Sequence, residues 1–323
     1  MKIRCAILDD YQQVALQSAD WSRISDRVEV TSIERHIDDP EELIAHIAEC
    51  EIVVIMRERT PFRAELLARL PRLRLLITTG MRNASIDLAA AAAQGVTVCG
   101  TGGAGNATAE LTWALMLALA RNIVPEHNAI RSGGWQSTVG SDLYGKTLGI
   151  LGLGKLGSKI ATFGQVFGMD VIAWSQNLTQ ARADEAGVKL AASKEELLAS
   201  SDYVSIHLVL SDRTRGLIGA ADLKQMKPTA YLVNTSRGPI VNSAALATAL
   251  QEGWIAGAAV DVFETEPLPQ DDPYRSLPNL LTTPHIGYVS KANYEAFYRD
   301  AVEDIEGYLA GKPVRELGQG HAK

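Results

Sequence analysis

Three charged or titratable side chains follow apolar segments late in the chain, and their types suit anion binding and proton exchange. Arg237 stands in Asn-Thr-Ser-Arg-Gly, Glu266 precedes Pro267 after Asp-Val-Phe-Glu-Thr, and His285 stands in Thr-Pro-His-Ile-Gly. Arginine offers a planar fork of donors to oxyanions, and histidine changes charge near neutral pH. Each residue alone has an ordinary interpretation: a surface charge, a turn cap or a core histidine. Together they favour a site, because ligands of open α/β sheets bind beyond the carboxyl ends of strands.

A glycine-rich turn earlier in the chain predicts nucleotide binding. Gly152, Gly154 and Gly157 form the pattern GxGxxG after an apolar run that ends at Leu151, and a helical segment at Lys159–Phe167 and a second apolar run follow. The first glycine permits the turn, the second lets a pyrophosphate approach the backbone, and the third lets the helix pack on the strand. The helix N-terminus then offers N–H groups to the phosphates. The pattern alone is weak, and this context makes it specific.

The length and composition of the chain limit the classes of protein to which it can belong. A chain of 323 residues with 46% hydrophobic residues predicts about two domains. The formal charge of −7 and the lack of a basic run argue against a general nucleic-acid or membrane surface. The apolar run Leu111–Ala120 is far short of the ~20 residues of a membrane span and predicts a buried helix. Cys5, Cys50 and Cys99 lack metal-ligand spacing, so we expect buried thiols, no metal and a cytoplasmic location.

The order of apolar and helical segments predicts an α/β fold class with parallel sheets. The first unit has predicted strands at Ile3–Leu8, Val28–Ile33, Ile52–Met56, Leu75–Thr78 and Val96–Cys99, with helices at Glu41–Ala48, Arg63–Leu70 and Ile86–Ala93. A long helix, Ala107–Arg121, leads into the second unit, whose predicted strands are Leu148–Leu151, Val171–Trp174, Tyr203–Leu208, Ala230–Asn234, Ala256–Val260 and Leu280–Thr283. A last helix is expected at Lys291–Leu309.

The chain resembles the D-2-hydroxyacid dehydrogenases over nearly its whole length. The resemblance rests on the glycine fingerprint, the Asn-Thr-Ser-Arg-Gly turn, the Asp-Val-Phe…Glu-Pro segment and the Thr-Pro-His-Ile-Gly turn. It implies a Rossmann-type doubly wound parallel sheet for the cofactor in residues 101–287. It also implies a discontinuous, flavodoxin-like substrate-binding (catalytic) domain made of residues 1–100 and 288–323, and a homodimer with contacts around Ala107–Asp142.

The resemblance further implies the reaction and the roles of the residues named first. Hydride would pass between NAD(P)H and a small 2-oxo acid or D-2-hydroxy acid of the glyoxylate, hydroxypyruvate or 3-phosphoglycerate type. Arg237 would bind the substrate and polarise its carbonyl group. His285 would exchange a proton with the substrate oxygen, and Glu266 would hold the other ring nitrogen and fix the tautomer.

Substrate contacts are expected from the first unit. Arg57 matches the family's early arginine, and Gly80 and Met81 match the loop whose backbone N–H groups hold the carboxylate. The ordinary interpretation is a plain strand-end loop, but such loops often carry function. Tyr288 stands where a small residue is common, and Arg82 could receive a second anionic group. A lone loop arginine is more often solvated, so we favour acids with small, uncharged tails, such as glyoxylate or hydroxypyruvate.

Cofactor contacts are expected at the glycine turn and at the ends of the following strands. Ser175 stands where many members of the family place an aspartate for the ribose hydroxyls, so the repulsion against a 2′-phosphate is missing. The cofactor is therefore NAD or NADP, with NADP accepted. The segment at His207 also lacks the family's usual proline. The expected contacts are Gly152, Gly154, Lys155, Leu156, Gly157, Ser175, Gln176, His207, Thr235, Asp261 and Gly287.

Two classes of function remain open at this point. One is an active dehydrogenase whose partner is a small-molecule 2-oxo or 2-hydroxy acid, with no nucleic acid and no membrane involved. The alternative is a nucleotide-sensing, corepressor-like binding protein on the same fold, which would keep the glycine turn and even the catalytic residues. The lack of long disordered tails or partner-binding extensions favours the enzyme.

Overall fold

The computed structural model describes residues 2–318, and these form two compact units. The first unit comprises the chain through Gly105 together with the chain from Val289 onward, and the second comprises Asn106–Tyr288. The first is therefore discontinuous in sequence. Which unit binds substrate and which binds cofactor stays a prediction at this stage.

Parallel strands and helices alternate through both units. The strands are β1 (Ile3–Ile7), β2 (Val28–Ser32), β3 (Ile52–Ile55), β4 (Leu75–Thr78), β5 (Thr97–Gly100), β6 (Thr147–Leu151), β7 (Asp170–Trp174), β8 (Lys189–Leu190), β9 (Tyr203–Ile206), β10 (Tyr231–Asn234), β11 (Gly257–Val260) and β12 (Leu280–Thr282). The α-helices are α1 (Pro40–Ile47), α2 (Ala64–Ala68), α3 (Leu88–Ala93), α4 (Ala107–Ala120), α5 (Ile123–Arg131), α6 (Lys155–Val166), α7 (Gln180–Glu185), α8 (Lys194–Ser200), α9 (Ala220–Leu223), α10 (Ser243–Gln251) and α11 (Lys291–Leu309).

The first unit contains the smaller sheet, with five parallel strands in the order β2-β1-β3-β4-β5. This is the flavodoxin-like order, as predicted. Every residue of β3 and β4 is buried, because helices cover both faces of a parallel sheet. The order reverses between β1 and β3, and this pair of adjacent strands is the switch point of the smaller sheet.

The second unit contains the larger sheet, with seven parallel strands in the order β12-β11-β10-β9-β6-β7-β8. Counted from β6, this is the doubly wound Rossmann order with one further strand, so the predicted cofactor fold is confirmed. The order reverses between β6 and β9, which form the switch point of the larger sheet. The loops after β6, β9, β10, β11 and β12 all leave its carboxyl edge.

Several short elements differ from the sequence prediction. Helix α6 begins at Lys155 rather than Lys159, because Gly157 packs closely enough to belong to its first turn. No bounds were predicted for helices α5, α7, α8, α9 and α10 or for the short strand β8. Three of these helices carry a readable start signal, since the side chains of Thr179, Ser193 and Asn242 cap their first turns.

The apolar run Leu111–Ala120 lies within α4, where Trp113 and Met116 are buried, so the predicted buried helix is confirmed. Cys5, Cys50 and Cys99 are also buried, as expected, and burial raises the pKa of the Cys99 thiol to about 12. Among residues 2–318, none of the helices is both long and apolar enough to cross a bilayer.

Candidate active site

The glycine turn has the geometry that its spacing predicts. Gly152 has φ +100°, and a Cβ there would lie 2.7 Å from the carbonyl oxygen of His207. A Cβ at Gly157 would lie 2.0 Å from the carbonyl oxygen of Gly152, so this position must be glycine for α6 to approach β6. A Cβ at Gly154 would meet no atom within 4 Å. The chain itself therefore requires glycine at the first and third positions, while the second leaves open space beside the backbone.

The first turn of α6 presents backbone donors beside that space. The first hydrogen bond of the helix runs from Ser158 N–H to Gly154 O, so the N–H groups of Lys155, Leu156 and Gly157 precede the helical ladder. Helix N-termini with such donors bind anions. The arrangement fits the pyrophosphate of a dinucleotide.

His207 faces the glycine turn across the switch point of the larger sheet. Its Nε2 shares a hydrogen bond of 2.8 Å with Ser205 Oγ, and its Nδ1 is buried without a partner among the described residues. Burial lowers the pKa of His207 to about 3, so the ring is neutral. A buried ring nitrogen that lacks a partner is an unmet hydrogen bond, and the open space at Gly154 lies at the same edge. Both observations fit a nucleotide.

The segment after β7 carries no negative charge. Ser175 is half-buried and Gln176 is exposed. Arg182 lies on α7, and its Nη2 donates to Ser158 Oγ at 3.0 Å while Nη1 pairs with Glu185 at 2.5 Å. The guanidinium therefore reaches the start of α6, while its charge is paired with that of Glu185.

The turn that carries Arg237 is held by its own neighbours. Asn234 Oδ1 accepts from Ser236 N–H at 3.0 Å, and Asn234 Nδ2 donates to Arg237 O at 3.0 Å. Ser236 Oγ donates to Ile206 O on β9 at 2.8 Å, and Arg237 Nη1 donates to Ser236 O at 2.8 Å. Sequence analysis did not single out Asn234, although an asparagine at the end of a strand is a common signal of this side-chain turn.

Gly238 brings the arginine turn against the segment that carries Glu266. A Cβ at Gly238 would lie 2.2 Å from both the carbonyl carbon and the carbonyl oxygen of Phe263. No other residue fits there without moving the backbone. The loops after β10 and β11 are thus in direct contact, and the predicted convergence of Arg237 and Glu266 at one edge agrees with this packing.

Glu266 and His285 form a short hydrogen-bonded pair. His285 Nδ1 lies 2.5 Å from Glu266 Oε2, and Glu266 Oε1 accepts from Phe263 N–H at 2.8 Å. Both side chains are largely buried, with 17% and 22% of their surfaces exposed. An ionised carboxylate accepts the Nδ1–H of the ring, so the pair fixes the tautomer and assigns proton exchange to Nε2. The ring of His285 also packs edge-on against Tyr288 with centroids 5.7 Å apart.

The backbone of His285 lies in the left-handed region, with φ +52°. Such a conformation costs a histidine of order 1 kcal/mol and is typical of functional sites. Asp261 holds it in place: its Oδ1 accepts from Thr283 Oγ1 at 2.6 Å and from Ile286 N–H at 2.8 Å, and its Oδ2 accepts from Gly287 N–H at 2.8 Å. Burial raises the pKa of Asp261, and these donors oppose the rise. In this structure the oxygens of Asp261 secure the histidine loop, and its expected contact with cofactor stays a prediction.

Thr235 and Gly287 are both tied to α4. Thr112 Oγ1 donates its hydrogen to Thr108 O at 2.7 Å. In the 2.7 Å contact between Thr112 Oγ1 and Thr235 Oγ1, Thr235 must therefore be the donor. Any cofactor contact of the Thr235 hydroxyl is then made as an acceptor. Thr108 Oγ1 donates to Gly287 O at 2.9 Å. Sequence analysis missed Thr108 and Thr112, because a threonine within a helix carries no signal of a distant partner.

The structure brings together the substrate residues expected in the first unit. The guanidinium Nη1 of Arg57 lies 2.8 Å from where a Cβ of Gly80 would stand, so the arginine lies over that glycine. Gly80 has φ +99°, and its N–H donates to Thr101 Oγ1 at 2.9 Å. The N–H group of Gly80 is therefore already hydrogen-bonded. A carboxylate would instead have to contact the N–H group of Met81, a residue that is partly exposed. Whether these residues touch substrate stays a prediction.

Comparison with known proteins agrees with this geometry. The model of the D-isomer specific 2-hydroxyacid dehydrogenase, NAD binding domain, matches residues 113–287. The chain is 42% identical to glyoxylate reductase of Aeropyrum pernix over 258 residues, which cover 77% of each protein. It is 37% identical to glycerate dehydrogenase of Methylorubrum extorquens, covering 85% of this chain and 87% of that one.

A solved structure is similar over nearly the whole chain. Phosphoglycerate oxidoreductase from Vibrio cholerae O395 has a TM-score of 0.91 and 40% identity, with 96% of this chain and 99% of that chain covered. The family model, the relatives and the fold agree with each other. The chain therefore belongs to the D-isomer specific 2-hydroxyacid dehydrogenase family and is an oxidoreductase that uses a nicotinamide cofactor.

Proposed function

We propose that this enzyme reduces a small 2-oxo acid with an uncharged tail, of the glyoxylate or hydroxypyruvate type, and catalyses the reverse reaction on the D-2-hydroxy acid. The observation that carries the proposal is the 2.5 Å pair of His285 Nδ1 and Glu266 Oε2 beside the Arg237 turn. The relatives named glyoxylate reductase and glycerate dehydrogenase support the same class of substrate.

The proposed mechanism follows from these three side chains. When bound, the nicotinamide cofactor supplies hydride to the substrate carbon or accepts it. Arg237 binds the carboxylate and polarises the carbonyl group through charge-assisted hydrogen bonds. His285 gives a proton from Nε2 to the carbonyl oxygen in reduction and removes it in oxidation. Glu266 keeps the ring oriented and its tautomer fixed.

For the cofactor, we propose NADPH as an accepted and effective reductant. The support is the uncharged Ser175 and the guanidinium of Arg182 at the first turn of α6. The pyrophosphate would be held by the N–H groups at Lys155, Leu156 and Gly157. NADH should also be accepted as a reductant, because Ser175 neither attracts nor repels the ribose hydroxyls strongly.

For the substrate, we propose that Arg57 and the loop at Gly80 and Met81 contact the 2-oxo acid. The close approach of the Arg57 guanidinium to Gly80 supports a joint role. Tyr288 is buried and packs on the ring of His285, so it takes up space beside the proton-exchanging group. Bulk at this position favours a short substrate tail.

We further propose that the active species is a homodimer in the cytoplasm. The segment after α4 exposes large apolar side chains, among them Trp135 at 75%, Val139 at 96% and Tyr144 at 81%. Apolar surface of this kind usually meets a partner, and a second copy of this chain is the partner that the family resemblance implies. Three buried, unpaired cysteines suit a reducing compartment.

The test is steady-state kinetics of the purified protein with a panel of 2-oxo acids and both reduced cofactors. Glyoxylate and hydroxypyruvate should have higher kcat/KM than phosphohydroxypyruvate or 2-oxoglutarate, whose tails are charged. A preference for phosphohydroxypyruvate that is lost in Arg82→Ala would overturn the proposed substrate. Tight nucleotide binding without turnover of any acid would instead favour the corepressor-like alternative. Sedimentation of the same sample tests the dimer.

A further inference from the structure

A second group of buried polar residues lies at the switch point of the smaller sheet. Strands β1 and β3 are parallel neighbours paired through Cys5↔Ile52 and Ile7↔Val54, so the loops after both strands leave the same edge. Such switch points are where open α/β sheets bind ligands. Here the space beyond the strands is filled by side chains of the protein itself.

Those side chains form a hydrogen-bonded chain from Thr60 through Asp9 to His36, and His36 also forms an ion pair with Asp38. Thr60 Oγ1 donates to Asp9 Oδ2 at 2.8 Å, and Asp9 Oδ1 lies 2.7 Å from His36 Nδ1. His36 Nε2 lies 3.2 Å from Asp38 Oδ1. Asp9 and Thr60 are only 3% and 4% exposed. A carboxylate buried this deeply is retained only when its lone pairs are satisfied, and here both oxygens of Asp9 have partners.

The chain of hydrogen bonds ends on the loop that carries Arg57. Arg57 is a non-glycine residue at φ +51°, so its backbone must be held by its surroundings. Arg57 N–H donates to Thr79 Oγ1 at 3.1 Å, and Arg57 O accepts from Asn83 Nδ2 at 2.6 Å. These bonds secure the start of the loop, and the bond from Thr60 to Asp9 secures its end.

We propose that Thr60, Asp9 and His36 are positioning residues that hold the Arg57 loop in the conformation that binds the 2-oxo acid. This inference rests on the proposed function, because it gives Arg57 a substrate to bind. Loss of the Thr60–Asp9 bond would release the end of the loop and move the guanidinium off Gly80. Arg57 is proposed to bind the substrate in the ground state and the transition state alike, so its displacement should raise KM and leave kcat near the parent value.

Charges around the pair favour a protonated histidine. Asp9 and Asp38 face the ring from the loops after β1 and β2, and Arg59 faces it from the loop after β3. The hydrogen bond to Asp9 raises the pKa of His36, while burial and Arg59 oppose the rise. The bond from ring to carboxylate is then charge-assisted, which makes it stronger than a neutral one.

The experiment compares Thr60→Val, which removes the donor at nearly constant volume, with Thr60→Ser, which keeps it. In Thr60→Val, KM for the best 2-oxo acid should rise about tenfold, the loss expected for one hydrogen bond to a charged group. Its kcat and its affinity for reduced cofactor should stay near those of the parent. Thr60→Ser should restore KM, and His36→Asn should raise it in the same direction.

His46→Asn is the matched control, since this histidine lies half-exposed on α1 and should leave every constant unchanged. An unchanged KM in Thr60→Val would overturn the inference. So would a joint fall of kcat, cofactor affinity and thermal midpoint, because that pattern indicates a merely structural role. If the parent itself turns over no 2-oxo acid, the proposed function fails instead, and the two failures are thereby distinguished.

Discussion

Both sheets have a switch point between two parallel strands where the strand order reverses, but different side chains occupy the two switch points. At the larger sheet, between β6 and β9, glycines leave the backbone bare, a Cβ at Gly154 would meet nothing within 4 Å, and His207 Nδ1 lacks a partner among the described residues. At the smaller sheet, between β1 and β3, Asp9 is buried and both its carboxylate oxygens have side-chain partners.

The difference indicates that the two switch points have different roles. An unfilled switch point with unmet hydrogen bonds is suited to an exchangeable ligand, because the ligand supplies the missing partners. A filled and satisfied switch point is suited to holding a loop in a fixed shape. The fold alone decides neither outcome, since both sheets offer the same kind of edge. The glycines at the larger sheet and the buried Asp9 at the smaller sheet decide whether each switch point is open or filled.

The largest expected effect distinguishes a residue that acts in the chemical step, at the larger sheet, from a residue that binds substrate, at the smaller sheet. Arg237→Ala should lose about a thousandfold in kcat/KM, roughly 4 kcal/mol on the transition-state scale, because carbonyl polarisation and substrate anchoring go together. Arg57→Ala should chiefly raise KM. Steady-state kinetics of both variants provides the measurement. A greater loss of kcat in Arg57→Ala than in Arg237→Ala would reverse the assignment.

The second prediction concerns the space left open at the larger sheet. Gly154 has φ −83°, which alanine adopts freely, so Gly154→Ala should keep its folded stability and still bind reduced cofactor about tenfold or more weakly. Gly157→Ala is the contrasting variant, since its Cβ would lie 2.0 Å from Gly152 O and should cost at least about 1–3 kcal/mol of stability. Fluorescence titration and urea unfolding measure the two effects. Parent-like cofactor binding by Gly154→Ala would contradict the proposed site.

Much of this comparison could be predicted from sequence, because it depends on short-range patterns. The apolar runs of β3, β4 and β6 and the glycine spacing predicted parallel sheets and a nucleotide turn. Arg237, Glu266 and His285 were predicted to converge because each follows a strand of one sheet, and carboxyl ends of parallel strands share an edge. The loops that carry them are indeed joined at Gly238 and at the Glu266–His285 pair.

The contents of the smaller switch point could not be predicted. Asp9, His36 and Thr60 lie on separate loops after β1, β2 and β3, and no local pattern relates them. The reach of Arg182 to Ser158 likewise depends on how α7 packs beside α6. The bonds of Asp261 to the histidine loop could not be predicted either, because no local pattern relates Asp261 to Thr283, Ile286 and Gly287. Only the placement of the histidine loop shows which donors fill its oxygens.

The third prediction sharpens the account of the cofactor. Ser175→Asp should shift the ratio of kcat/KM for NADPH over NADH toward NADH by about tenfold, because the new carboxylate repels a 2′-phosphate and accepts from ribose hydroxyls. Arg182→Ala should shift the ratio the same way by a smaller factor. The measurement uses one good 2-oxo acid with each cofactor. A parent preference for NADH above ~1,000-fold, roughly 4 kcal/mol, would mean that another residue excludes the phosphate.

The smallest expected effect is a pH dependence at the filled switch point. The raised pKa of His36 means that the protonated ring stabilises the fold. This contribution is fully present below the ordinary histidine pKa of about 6.5 and is lost as pH rises through the raised value. The difference in unfolding free energy between the parent and His36→Asn should therefore shrink with rising pH. Urea titrations across that range measure it, with His46→Asn as control, and a difference that grows with pH would refute the ion pair.

One measurement tests the central claim that the larger sheet carries the chemistry through a His285–Glu266 pair. His285→Asn keeps a residue that tolerates φ +52° but cannot exchange a proton. With saturating NADPH and the best 2-oxo acid, kcat should fall ~100-fold or more, while fluorescence titration shows parent-like cofactor affinity. Turnover near that of the parent, with cofactor still bound, would contradict the account.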